Sequence, residues 1–336
     1  MKKTIALFLI AIFCLFGCLG MIGCQEKKDS GTIRLNEVTH SVFYAPLYVA
    51  NYLGYFSEYG LTIEFTNGGG SDNSMTALIS GGADVALLGP ETAVYVKTQG
   101  SSNGAVIVGQ LTQRDGSFLI GRTAEPNFKW SDLKGKEIIG GRKGGMPAMC
   151  LEYAINKNGM TDGTDLTINY DVSFDLITSA FESGIGDYCT MFEPAASQYE
   201  SLGKGHVITS VGKETGNVAY TCFMVTQKYL SANRDKVSAF MKAVIKGINY
   251  CFTHSAEEIA EAIQPGFTTT DKALLIKSVQ RYMEIDAWKT VPTMTENSFD
   301  NLQNILMSAG SIKEKVSYGA DVVDNSIVEE IIAGQL

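Results

Sequence analysis

The sequence is poor in the residues on which most catalysis and nucleic-acid binding depend. Only three histidines, His40, His206 and His254, stand in 336 residues, and HExxH does not occur. A positioned nucleophile with its base therefore has little to be built from. Basic runs never exceed two residues, and 27 Lys+Arg against 36 Asp+Glu give a net charge of −9. Binding to a phosphate backbone needs clustered cations, so no nucleic-acid partner is expected. Cysteine is sparse too, with seven in all, and Cys14, Cys18 and Cys24 fall in the first two dozen residues. Cys150, Cys189, Cys222 and Cys251 have no CxxC spacing and sit among mainly apolar neighbours. They read as small buried hydrophobes; no metal site or other cofactor is expected, and their disulfide state is not legible.

What is present is ordinary globular material, 45% hydrophobic, 10% aromatic and 19% charged, in a length that suits roughly two domains. That composition argues against disorder, a fibre and a multi-span membrane protein. The N-terminus is the exception. Lys2 and Lys3 precede a nearly unbroken apolar run from Ile5 to Ile22, and the chain then turns polar at Gln25. This is the n-region and h-region of an export signal. Met21-Ile22-Gly23-Cys24 and Leu15-Phe16-Gly17-Cys18 both resemble a bacterial lipobox, whose cysteine is acylated and becomes the new N-terminus. Cys24 is favoured, because a start at Cys18 leaves Leu19 to Ile22 as exposed apolar surface. An uncleaved anchor helix is the alternative. With Cys24 acylated, residues 1–23 are the lipoprotein signal peptide and 24–31 a tether, and in either case the body is expected outside the cytoplasm, held at the membrane. Removal of residues 1–23 takes away two lysines and leaves −11.

The body alternates strands and helices, which predicts α/β layers. Thr32 to Val38 reads as a first strand, and Pro46 opens a helix that ends at Gly54. Leu61 to Phe65 alternates strictly, Gly68-Gly69-Gly70 with Ser71 and Asp72 turns into a helix, and Asp84 to Leu88 is a short buried strand. An internal echo follows: Ala77 to Asp84 matches Ala180 to Asp187 at four of eight positions. Each copy then runs through apolar residues to a Pro beside a Glu, Pro90-Glu91 and Glu193-Pro194. Two similarly built lobes are expected, each presenting a loop at the carboxyl end of a strand. The expected boundaries are 32–123 for the first lobe, with strands at Asn103–Gln113 and Ser117–Arg122, and 124–220 for the second. Residues 221–336 return to the first lobe and add amphipathic helices, Asn233–His254, Ser255–Ile263, Thr270–Ile285 and Thr295–Ala309.

Tyr44-Ala45-Pro46-Leu47-Tyr48-Val49-Ala50, Gly54-Tyr55-Phe56, Gly60-Leu61 and Gly81-Gly82-Ala83-Asp84-Val85-Ala86 together resemble the start of substrate-binding proteins of bacterial uptake transporters, in the sulfonate, taurine, nitrate and thiamine-precursor group. Leu133-Lys134-Gly135-Lys136-Glu137-Ile138 and Gly140 to Gly145 fit the second-lobe part of that pattern. The resemblance implies a two-lobed type II periplasmic-binding-protein fold that closes on a small-molecule ligand and hands it to an ABC permease. Thiamine-precursor relatives often carry Asn-His-Thr-Gly where this chain has Phe43-Tyr44-Ala45-Pro46, which argues against a pyrimidine. The alternative reading, an enzyme of the same fold in pyrimidine synthesis, lacks its cysteine-rich signature here.

Candidate ligand contacts follow from placement. Arg142, Lys143, Gly144 and Gly145 precede a helix start, where free N–H groups favour an anion. Thr39, His40, Phe43 and Tyr44 follow the first strand and offer hydrogen bonds and stacking, with one of the two aromatics expected in the site. Pro90 with Glu91, and Glu193, occupy equivalent loops, where a carboxylate can accept from ring or amine donors. Asn217 and Tyr220 stand near the return crossover. No residue is assigned a catalytic role.

Overall fold

The computed structural model describes residues 31–100 and 104–335. Cys24, Cys18 and the leader and tether up to residue 30 lie outside the described residues. The chain divides into two compact units, Met1–Thr32 and Ile33–Leu336, and the fold below is that of the second.

Among the described residues ten strands run in chain order as β1 (Thr32–Glu37), β2 (Thr62–Asn67), β3 (Val85–Leu88), β4 (Ala105–Thr112), β5 (Phe118–Gly121), β6 (Glu137–Ile139), β7 (Thr167–Asn169), β8 (Tyr188–Met191), β9 (His206–Ser210) and β10 (Thr221–Thr226). They form two five-stranded sheets, β2-β1-β3-β10-β4 and β7-β6-β8-β5-β9. In each, the inner pair is parallel, β1 with β3 and β6 with β8, and one strand runs against its neighbours. Burial follows position: β3, β10 and β4 are buried along their whole length, β3 as an unbroken apolar run, while β2, at an edge, alternates.

The antiparallel strand of each sheet is exchanged. β10 reaches the first sheet only after the chain has built the second, and β5 joins the second sheet between β8 and β9. This moves the first crossover from the expected position near residue 124 to residues 113–117. The strand at 118–121 therefore belongs to the second lobe, because its partners are β8 and β9 rather than the preceding β4. The two crossovers run side by side, with Val218 N donating to Gln113 O at 2.9 Å and Val211 N to Ser117 O at 3.1 Å.

Helices α1 (Ala45–Tyr52), α2 (Tyr55–Glu58), α3 (Ser71–Ile79) and α4 (Glu91–Thr98) cover the first sheet. Helices α5 (Met146–Lys157), α6 (Ile177–Glu182), α7 (Ala195–Ser201) and α8 (Val211–Thr215) accompany the second. After the return come α9 (Gln227–Ala232), α10 (Arg234–Thr253), α11 (Ala256–Ile263), α12 (Lys272–Glu284), α13 (Glu296–Ser308) and α14 (Ser326–Ile332). The stripe Val237, Phe240, Met241 and Val244 of α10 is fully buried, and α10 packs on α1 at Gly247. Helix α12 also packs against α7, so the carboxyl-terminal helices brace both lobes.

The internal echo is a shared structural device. Asp84 N donates to Arg34 O at 2.8 Å while its carboxylate accepts from Arg34 N at 3.0 Å. Asp187 N donates to Glu137 O at 2.8 Å while its carboxylate accepts from Glu137 N at 2.9 Å. Each aspartate thus clips the head of its strand to the neighbouring parallel strand. All four cysteines of the body are buried and free. Among the described residues no helix is long and apolar enough to cross a membrane.

Candidate ligand cavity between the lobes

The carboxyl ends of β1 and β3 face the loop after β6, and a cavity of about 70 Å³ lies between them. The first lobe contributes Val38, Thr39, Tyr44, Gly70, Ser71 and Gly89. The second contributes Gly140, Gly141, Arg142, Gly145, Met146, Pro147, Ala148, Phe174 and Phe192, and the return crossover adds Tyr220 and Thr221. The wall is mostly apolar and aromatic, and Arg142 is its only charged side chain. That space suits a few waters or one compact solute.

Three helix starts converge here. Helix α3 begins after Gly70, α4 after Pro90, next to Gly89, and α5 after Gly145, and none has a side chain capping its first turn. The leading N–H groups of such helices lack intrahelical partners and carry the positive end of the dipole. The glycines have a local reason as well: a side chain on Gly140 would run into Ile168, and one on Gly89 into the Glu91 carboxylate.

The structure brings together Thr39, Tyr44, Arg142, Gly145 and Tyr220 of the expected site. Of the aromatic pair it is Tyr44 that lines the cavity, its hydroxyl beside Thr221. Phe43 is core, ringed by Tyr44, Phe192, Tyr220 and Tyr282 at centroid distances of 4.9 to 5.7 Å. Lys143 and Gly144 face a separate, more open groove behind the same loop, lined also by Tyr95, Glu152 and Tyr170. There the Gly144 carbonyl accepts from Tyr95 Oη of the first lobe at 3.0 Å. Pro90 is buried outside the cavity wall, and Asn217 is exposed and away from it.

Two expected contacts are occupied by the protein itself. His40 has Glu37 Oε1 2.8 Å from Nδ1 and the Gly266 carbonyl 3.0 Å from Nε2, and stacks on Phe267. Two acceptors call for two N–H donors, and the glutamate raises the imidazole's pKa accordingly. Glu193, fully buried beside a cis peptide bond to Pro194, accepts from Ser197 N at 3.0 Å, Ser197 Oγ at 2.8 Å, Ser278 Oγ at 3.2 Å and Arg281 Nη1 at 2.8 Å. It has no capacity left for a ligand and serves as the knot between α7 and α12.

Among the wall residues that the sequence did not single out are Gly70, Ser71, Gly89, Phe174 and Phe192. Ser71 carried a signal in the triple glycine before a helix start. Phe174 and Phe192 carried none, since an aromatic on a loop looks the same whether it fills a core or a cleft.

Two α/β lobes of one strand order, joined by paired crossovers and enclosing a cavity, define the two-lobed periplasmic-binding-protein fold. Solved structures agree. The ligand-binding component of an ABC-type import system from Staphylococcus aureus, with zinc bound, superposes with a TM-score of 0.72 at 16% identity, covering 89% of this chain and 98% of that one. The alkanesulfonate-binding protein SsuA from Xanthomonas axonopodis pv. citri, bound to MOPS, gives 0.68 at 15% identity, covering 85% and 96%. The chain belongs to the NMT1/THI5 like family, whose model matches residues 42–258. It is also 39% identical over 323 residues, 94% of this chain and 96% of the other, to "Putative binding protein YtlA" of Bacillus subtilis (strain 168).

Proposed function

We propose that this chain is the extracytoplasmic solute-binding protein of an ABC uptake transporter, anchored to the membrane by acylated Cys24. It captures a small anionic or heteroaromatic molecule between its lobes and presents the closed form to the permease. The observation that carries the reading is the cavity itself: both lobes and the return crossover wall it, so a solute bound there gains contacts only when the lobes are closed. Such a solute shifts the population towards closure by its differential affinity. The family assignment and the SsuA and import-system folds support a transport role. The candidate contacts are Thr39, Tyr44, Arg142, Gly145 and Tyr220, with Gly70, Ser71, Phe174 and Phe192 added from the cavity wall.

A thermal-shift screen against sulfonates, nitrate, pyrimidines and flavins, followed by calorimetry, tests the receptor role. The expected result is stabilisation by one class, with the solute recovered chemically unchanged. Turnover of the bound solute would replace the receptor with an enzyme. Anchoring is tested separately: Cys24→Ala should move the protein from the membrane fraction to the soluble one and abolish labelling by a fatty-acid probe. Retention of both in that variant would shift the assignment to Cys18 or to an uncleaved anchor.

A further inference from the structure

The cavity shares a wall with a second pocket of about 170 Å³, and Phe174, Phe192 and Thr39 line both spaces. The two rings meet edge to face, with centroids 5.4 Å apart. Phe192 is held from behind as well, by Phe43 at 5.7 Å and Tyr220 at 6.4 Å. For Phe174, Phe192 is the one aromatic neighbour among the described residues. Phe174 stands on the 3₁₀ turn Phe174–Leu176, where no residue is fully buried and no side chain caps the start. Of the pair it is therefore Phe174 that a solute can displace, because a half-buried ring changes rotamer at less cost than one packed on several sides.

The second pocket differs from the cavity in chemistry, and its polar groups fall into two sets. His40, Ser41 and Glu193 are satisfied within the chain. His40 lies between Glu37 and the Gly266 carbonyl, Ser41 Oγ donates to the Glu193 carbonyl at 2.6 Å and accepts from Phe43 N at 3.2 Å, and the Glu193 carboxylate has its four donors. The Thr39, Thr178 and Thr190 hydroxyls and the Asp175 carboxylate, by contrast, have no hydrogen-bond partner among the described residues. Thr190 carries the most weight, since it lies on the buried strand β8, is only 3% exposed and lines this pocket. Buried polar groups are almost always hydrogen-bonded, so a hydroxyl without an internal partner there takes one from the pocket. Hydroxyls both donate and accept, whereas an ionised carboxylate only accepts.

We infer that the solute has two parts: a compact head in the cavity and a tail that passes Phe174 into the second pocket, where it presents hydroxyl, ether or amine groups. This rests on the receptor reading above and selects within it. A bare ion such as nitrate occupies the cavity alone, whereas a head with a polar tail gains the Thr178, Thr190 and Asp175 contacts as well. An alkyl tail leaves those groups unpaired, and an anionic tail meets the Asp175 carboxylate.

The test uses the full chain in mild detergent and two pairs of probes matched in the head, methanesulfonate with MOPS and cytosine with cytidine, read by thermal shift and calorimetry. Hexanesulfonate, whose tail is alkyl, is the control. In at least one pair the tailed probe should bind about tenfold more tightly than its head, from two or more added hydrogen bonds, and hexanesulfonate should not match MOPS. Thr190→Val and Thr178→Val, which keep the size and remove the hydroxyl, should each lower affinity for the tailed probe about fivefold and leave that for the head unchanged. Should Thr190→Val fail to fold, Thr178→Val, at a half-buried position, decides. Tails that add nothing in either pair, an alkyl tail as good as the polar ones, or tailed-probe affinity unchanged in the variants overturns the inference and leaves the receptor reading standing. Binding of none of the five probes also overturns it; if the wider solute screen is silent too, the receptor reading falls separately.

Discussion

Arg142 of the second lobe and Asp72 of the first meet across the mouth of the cavity, with Nη1 3.0 Å from Oδ2. Beside them Tyr95 Oη reaches the Gly144 carbonyl, and Ser311 Oγ lies 3.7 Å from Met149 Sδ. These contacts join the lobes on the side away from the Glu193 knot. Both members of the ion pair are about half exposed, so the pair contributes about 0.2–1 kcal/mol and is screened by salt. Arg142→Ala should therefore shift the closed population by up to about fivefold towards open. Small-angle scattering would show this as a larger radius of gyration at low salt that merges with wild type near 1 M. An unchanged radius at every salt concentration would mean that the pair has no part in closure.

The Glu193 knot is of another kind. Arg281, mostly buried, bonds Glu193, Ser197 and Glu200 at 2.6 to 2.8 Å, and Lys277 adds a second cation on Glu200. Burial works against the Glu200 charge, but Lys277 and Arg281 hold its pKa down to about 2. Removing one partner of a buried pair leaves the other uncompensated, at a cost of about 3–5 kcal/mol. Arg281→Ala should lower the unfolding free energy obtained from urea melts by that amount at neutral pH, whereas Arg142→Ala should lower it by about 1 kcal/mol or less. Equal losses in the two variants would show that the buried and exposed pairs do not differ as argued.

Gly247 offers a test in which the sign decides. In an exposed helix interior, Gly→Ala stabilises by about 1 kcal/mol. Here a Cβ would drive into the Pro46 carbonyl oxygen and stand 3.0 Å from Ala50 Cβ, where α10 crosses α1. Gly247→Ala should therefore destabilise by about 1–3 kcal/mol in urea unfolding, as overpacking does. A gain in stability would mean that the two helices separate without cost.

The lobed α/β architecture was legible because its signals are local. Hydrophobic period marked β2 and α10, glycine breaks ended helices, and the Asp84 and Asp187 echo marked two copies of one strand clip. The exchange of β5 was not legible, since its apolar run pairs equally well with strands before or after it, and adjacency favoured the wrong side. In the cavity wall, the helix start brought in Arg142, the return crossover Tyr220, and placement after a strand Thr39 and Tyr44. The same rule also brought in His40 and Glu193, whose partners Gly266, Ser278 and Arg281 come from 70 or more residues away. Phe43 and Tyr44 are adjacent and equally aromatic, and only the turn at Val42–Tyr44 decides which ring faces the core.

Asp115 and Tyr220 sit on the two crossovers, and the pair makes the hinge sensitive to pH. Asp115 is fully buried; its Oδ1 accepts from Ser117 N at 2.7 Å and from the Ser117 hydroxyl, while its other oxygen and the Tyr220 hydroxyl face each other with no other partner. Burial pushes its pKa up to about 6 from an ordinary 3.8, although Ser117 and Tyr220 pull the other way. A raised folded-state pKa means that the fold holds this proton more tightly than the unfolded chain does. The stabilisation is therefore complete below about pH 3.8 and is lost as pH rises through 6, a change of up to about 3 kcal/mol. Asp115→Asn keeps the acceptor for Ser117 and has no charge to bury, so it should match wild type near pH 4 and exceed it by about 1–3 kcal/mol at pH 7.5. Urea melts of both proteins at the two pH values give the difference directly. The buried Glu91 also titrates upward, but it is common to both chains and cancels. A difference that stays constant from pH 4 to 7.5 would show that Asp115 carries no proton into the folded hinge.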